Sequence, residues 1–439
     1  MATVIEADDL NRYEVVEVRN WGTRPLNVSI SQTTPTGTTS TAVDAFGRQR
    51  VSNPLTLFDS SHRYKDNGLW ETQTASGGAA VFSANEGLVN LNVTTTSGSK
   101  VIRETTKVFS YQPGKSLLVL NTFAFNAAKA NLRQRCGYYG ADNGIYFQVN
   151  GVGTNSVAFV ERSLVTGVVT ESVITQANWN VDKLDGTGPS KLTLDTSKSQ
   201  ILWMDIEWLG LGTVRVGFII NGQFIHCHSF HHANLITSTY ITTASLPLRY
   251  EIENTETTAT SSTLKQVCST VISEGGYELR GLQQAIQTPI GSPRDLTTVN
   301  TYYPVISLRL KASPNFLDAI VILTALSIMG ISNNANYNWQ VIASGTTTGG
   351  TWVSAGTNSA VEYNRTGSSF AGGRILASGF TNGSNQGSQA VDILKEALFA
   401  FQLERNGLAG TSYEITLVVA ADAAGADIYA SMDWEEISR

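Results

Sequence analysis

Charge is scarce in this sequence: 15% of its 439 residues are Asp, Glu, Lys or Arg, against about a quarter in an average soluble domain. The charges sum to −6, and no run of Lys or Arg occurs. Gripping phosphates takes clustered cations, so nucleic acid is excluded as a partner. Cysteine is scarcer still. Cys136, Cys227 and Cys268 are odd in number and lack paired spacing, which reads as free thiols in a chain assembled in a reducing cytosol. Long apolar runs are missing too. The longest, Ala319 to Ile331, is broken by Thr324, Ser327 and Gly330 and falls short of the roughly 20 residues a membrane helix requires. The first ten residues carry Glu6, Asp8 and Asp9 and no apolar core, which is not a secretory signal. There is no Gly-x-Ser-x-Gly elbow, no phosphate loop and no Cys-x-x-Cys pair, so no cofactor is expected.

What fills the space is Thr, Ser, Asn and Gly, residues that decorate strands and make turns. The length points to two globular units. Residues 1–50 read as an extended arm, because the Ser, Thr, Pro and Gly tract from Ser31 to Thr41 has little to bury. From 51 to 280 short β-branched and aromatic runs end in turn residues, among them Leu88–Thr94, Leu117–Phe125, Gly144–Val149 and Gln200–Trp208. The plainest hairpin is Thr213–Ile220, Asn221-Gly222, Gln223–His228, since Asn-Gly accepts positive φ at both centres of a type I′ turn. Residues 281–304, polar and holding Pro289, Pro293 and Pro304, read as a linker. Residues 305–439 supply a second set of strands. Gln389 onward leaves helix and strand open, because Val391, Leu394, Leu398 and Phe401 fit a helical stripe while Leu398–Leu403 also alternates. The expectation is an all-β chain: two antiparallel β-sandwich or jelly-roll domains behind an N-terminal arm.

Two groups of residues invite a chemical reading. In Trp203-Met204-Asp205-Ile206-Glu207-Trp208, strand alternation puts Trp203, Asp205 and Glu207 on one face. Retaining glycosidases need two carboxylates roughly 5 Å apart. The segment resembles the signature strand of laminarinase- and lichenase-type glycosidases, a concanavalin-like jelly roll whose strand reads Glu-x-Asp-x-Glu. The later two acids match Asp205 and Glu207, but Trp203 stands at the nucleophile position. The resemblance therefore implies a lectin-like sandwich and at most a sugar contact through Asp205, Glu207 and Trp203. The second group is His226 and His228, which alternation also places on one face, where two imidazoles could share a metal. The bland reading is a buried or interfacial pair.

Ordered blocks along the chain carry a further resemblance. Asp44-Ala45-Phe46-Gly47-Arg48-Gln49-Arg50-Val51-Ser52-Asn53-Pro54, Tyr111-Gln112-Pro113-Gly114-Lys115-Ser116, Leu246-Pro247-Leu248-Arg249-Tyr250 and Ser273-Glu274-Gly275-Gly276-Tyr277 resemble a family of virion structural proteins of tailed phages, cyanophages and other marine phages especially. The match runs from about 44 to 280. It implies a particle component without enzymatic activity, located in the virion and assembled in the host cytoplasm. It also implies a homo-oligomer, a trimer, in contact with other virion proteins in the tail, baseplate or fibre apparatus. A head or collar decoration and a host-attachment module that contacts a surface glycan are the alternatives; a glycosidase ranks last.

Overall fold

The computed structural model describes residues 53–438, apart from 154–155, 279–280, 313–318, 333, 384–388, 391–401, 404–405 and 409. The arm read for residues 1–50 lies outside the described residues. Among the described residues the chain is almost wholly antiparallel β structure, with a single 3-10 turn at Gln176–Asn178.

Strands are numbered in chain order. One sheet runs β13 (Gln223–Phe230), β12 (Val214–Ile220), β11 (Ser199–Ile206), β6 (Leu117–Ala124), β15 (Ser262–Ser273), β4 (Leu88–Val93) and β3 (Ala79–Ser83), and β1 (Leu55–Ser61) also pairs with β15. The other runs β10 (Thr170–Thr175), β9 (Ser156–Ser163), β8 (Gly144–Asn150), β7 (Leu132–Tyr139), β14 (Leu248–Asn254), β5 (Lys100–Thr105) and β2 (Trp70–Ala75). Alternation explains how they stack. In β6, Leu117, Val119, Asn121 and Phe123 are buried while Leu118, Leu120, Thr122 and Ala124 are half-buried, so each strand gives one apolar row to a shared interior. An aromatic pair bridges the layers, Phe147 meeting Phe218 edge-on with ring centroids 5.0 Å apart, and Phe159 packs on Trp179 of the connecting loop at 4.6 Å. One buried cation also crosses the interior. Arg103 of β5 donates from Nε to Gln266 of β15 at 2.7 Å and grips both Asp66 oxygens at 2.8 Å.

The remaining strands form two more sheets around a second core. One is β16 (Leu282–Gln287), β26 (Ala426–Ser438), β19 (Ala319–Gly330) and β24 (Gln389–Ala390), with β17 (Arg294–Leu296) also on β26. The other is β21 (Val353–Ser354), β22 (Val361–Asn364), β18 (Tyr303–Leu310), β25 (Glu414–Ala421), β20 (Asn336–Thr348) and β23 (Ser369–Asn382). Val321, Ile328 and Met432 from the first meet Leu308, Val341 and Leu417 from the second. The two units meet at a separate small apolar cluster, where Val108 packs against Ile320 and Ile322.

The stretch expected to be a linker is instead built into this second unit. Leu282–Gln287 and Arg294–Leu296 both pair with β26, and Thr288 N–H donates to Ala430 O at 2.9 Å. As an edge strand, β16 leaves Gln283 and Gln287 exposed, so its composition reads as polar although its backbone is paired. Pro289 falls between the two strands, and Pro304 sits where the β18–β25 register shifts, a place that tolerates a missing N–H. The undecided segment after Gln389 is described only at β24, which pairs with Ser327 and Ile328, and at Leu403, which bridges to Val321. Residues 391–401 lie outside the described residues.

The Asn221-Gly222 hairpin forms as read, with φ of 53° and 75° at its two central residues and Ile220 paired to Gln223. A Cβ on Gly222 would meet nothing within 4 Å, so only the left-handed backbone resists substitution. Gly222→Ala is expected to lower stability by about 1 kcal/mol in urea unfolding with an unchanged slope.

Candidate functional site

The acidic strand owes its surroundings to register. β11 and β12 form a hairpin around Leu209 and Gly210, whose φ values are 38° and 78°. That turn sets Asp205 opposite Arg215 and Trp203 opposite Gly217. Leu202, Met204 and Ile206 face the core, so Trp203 and Asp205 lie on the other face of the sheet. Neither is open to solvent: Trp203 is 3% and Asp205 1% exposed. Arg215 Nε donates to Asp205 Oδ2 at 3.1 Å, and its Nη2 makes a second, shorter contact with the same oxygen. The indole of Trp203 lies over the space a side chain would fill at position 217 and donates from Nε1 to Ile225 O at 3.2 Å.

Glu207 does not continue this face as an open ligand. The strand ends at Ile206, and Glu207 is fully buried, with its carboxylate accepting from Tyr111 Oη at 2.9 Å. Burial, and then the Glu207 charge, push the Tyr111 phenol upward, so it stays a donor. Tyr111 also meets Trp208 edge-on at 5.9 Å. The structure thus gives Asp205 and Glu207 separate internal partners, one cation and one phenol. Sequence reading missed both partners. Arg215 was recoverable, because a hairpin centred on Gly210 places it across from Asp205; Tyr111, distant in sequence, left no such signal.

The histidines are separated by an irregularity. His226 pairs with Gly217 but His228 pairs with Val216, so Cys227 is an extra residue in β13. Such a bulge breaks alternation. His226 shares the outer face with Trp203, 5.8 Å away ring to ring, whereas His228 sits across from core Val216 and meets core Phe230 at 4.6 Å. The expected shared face is not formed. His226 Nε2–H donates to His228 O at 3.1 Å, and His228 Nδ1 accepts from Asn180 N–H at 3.3 Å. Among the described residues no group of three or more His, Cys, Asp or Glu side chains could hold a metal ion. Burial, helped by Arg215, pushes His226 down to about 4, and burial does the same to His228.

A third constellation was not read from sequence at all. On the outer face of the second sheet, Arg249, Glu251 and Glu253 of β14 lie beside Glu104 of β5 and Arg135 and Arg133 of β7. Arg135 lies 3.6 Å from Glu251 and over the Tyr146 ring at 5.1 Å, and Arg249 lies 3.5 Å from Glu104 and over the Tyr139 ring at 5.4 Å. Burial works against the Glu251 charge, but Arg135, Arg249 and Arg133 together hold its carboxyl below the usual range. This ladder alternates sign across strands, so it stabilises pairing and register.

No family model matches the chain, and no curated protein matches it. Solved structures similar to it include a beta-1,3-glucanase from Mycobacterium marinum, at 9% identity and TM-score 0.34, covering 49% of this chain and 98% of the other. A legume lectin-like domain from Entamoeba histolytica is similar at 10% identity and TM-score 0.29, covering 50% of this chain and 97% of the other. A carbohydrate esterase from the Shiga toxin-encoding bacteriophage phi24B is similar at 13% identity and TM-score 0.30, covering 50% and 99%.

Two outcomes follow from the site's geometry. A Cβ at position 217 would collide with Ile225 O and approach Trp203 Nε1 at 2.9 Å, so Gly217→Ala is expected to cost about 2 kcal/mol in urea unfolding. His226 and His228 have folded values near 4 against an ordinary 6.5. The unfolded chain therefore binds more protons between those values. Their contribution is fully present above about pH 6.5, falls as pH drops toward about 4, and is constant below that. Replacing both with Gln should flatten that part of the stability profile; an unchanged profile would contradict the assignment.

Proposed function

We propose that this chain is a non-enzymatic structural subunit of a tailed-phage virion, in the tail, baseplate or fibre apparatus, acting as a homotrimer. The observation that carries the non-catalytic reading is the commitment of Asp205 to Arg215 and of Glu207 to Tyr111 inside closed packing. A glycosidase needs both carboxyls facing one substrate; here one lies on the outer face and the other is buried against a core tyrosine. The virion reading rests on the sequence blocks between 44 and 280. Two β units joined through packed apolar contacts at Val108 and Ile320 suit a part that bears load without opening.

The test is direct. Antibody to the chain should decorate purified particles at tail or baseplate, and light scattering of the isolated protein should give three times the chain mass. Particles free of the chain would end the virion reading, and a monomer would end the trimer. Hydrolysis of a β-glucan that disappears in Glu207→Gln would restore the glycosidase.

A further inference from the structure

Where the two β units meet there is a cleft of about 450 Å³, within the size range of small-ligand sites. One wall belongs to the first unit, with Asp59 of β1, Glu71 of β2 and Lys107 just beyond β5; the other belongs to the second, with Arg374 of β23, Gln402 and Tyr413. None of these residues takes part in the acidic strand or the histidine pair. We infer that this cleft is a binding site for a neutral saccharide of one or two rings.

Charge balance argues for a neutral ligand. Asp59 and Glu71 oppose Lys107 and Arg374, so the walls carry no net charge while offering strong acceptors and strong donors together. Such a set recognises a group that both donates and accepts, which is what a ring of hydroxyls does. Leu57 and Leu69 add apolar surface and Tyr413 an aromatic ring, suited to the C–H faces of a sugar. Tyr413 Oη is held as an acceptor from Asn406 Nδ2 at 3.0 Å, which leaves its proton to donate.

Two further features mark the cleft as more than a seam. Gln402 is 5% exposed, and its side-chain oxygen, itself sealed from solvent, has no hydrogen-bond partner; a buried acceptor left this way is unfavourable, and turning the Gln402 amide toward the cleft would let a ligand hydroxyl relieve it. Ser344, also in the lining, adopts φ of 59°, outside the pairing that resumes at Gly345. A non-glycine residue held in the left-handed region is strained, and such strain persists where surrounding structure holds a site in shape. Burial raises the Glu71 carboxyl, opposed by a hydrogen bond with Asn406.

This site does not depend on the virion reading, and particle labelling and sugar binding can fail separately. The experiment is saturation-transfer difference NMR on the full chain with glucose, cellobiose, chitobiose and lactose at millimolar concentration, and with glutamate as a zwitterionic control. Transfer from at least one sugar is expected, weakened about tenfold in Arg374→Ala and in Glu71→Ala; thermal melts of both variants establish that they fold. Arg374 is exposed, so its loss leaves the cores intact. Absence of transfer from every sugar, transfer from glutamate alone, or sugar transfer that both folded variants retain in full would overturn the assignment.

Discussion

The strand register around β11 is the constraint on which the rest of the first unit depends. A turn at Leu209 and Gly210 sets β12 against β11, and the Asn221-Gly222 turn sets β13 against β12. Once these are in place, every side chain on three strands has its face assigned. A one-residue slip would move Leu202, Met204 and Ile206 out of the core and push Asp205 into it without Arg215. Backbone pairing therefore decides the electrostatics, and the extra residue at Cys227 decides that the two histidines part.

Interior charge is handled by pairing with partners on other strands and loops rather than by exposure. Arg103 reaches across the interior to Asp66 and Gln266, Arg215 holds Asp205, and the β5–β14–β7 face alternates Glu and Arg. Removing both partners of a buried pair can be nearly neutral, whereas removing one leaves an uncompensated charge. A chain with few charges can commit most of its interior ones this way. The same logic places the two acids that look catalytic in sequence inside the framework: Asp205 is engaged by a guanidinium and Glu207 by a phenol.

Much of the fold was legible because a strand announces itself locally. Period-2 alternation and turn residues located β4, β6, β8, β11 and the Asn-Gly hairpin within a residue or two. The stretch 281–304 was misread because an edge strand keeps its side chains in solvent, so Leu282–Gln287 shows pairing only through β26, which lies far away in sequence. The candidate sites were legible in composition but not in orientation. Alternation put His226 and His228 together, and one extra residue undid it. Tyr111 and the Arg–Glu ladder come from contacts between distant strands, which no local pattern reports. The cleft residues Glu71 and Gln402 are further apart still, brought together only by the packing of one unit on the other.

The central claim is that Asp205 is held by Arg215 as part of the framework. A double-mutant cycle with Asp205→Ala, Arg215→Ala and the pair, read by urea unfolding, measures that coupling without reference to any activity. The account requires a coupling free energy of roughly 1–3 kcal/mol, with the double variant less destabilised than the sum of the singles. Effects that add within about 0.5 kcal/mol would contradict it and return Asp205 to the set of residues available to a ligand.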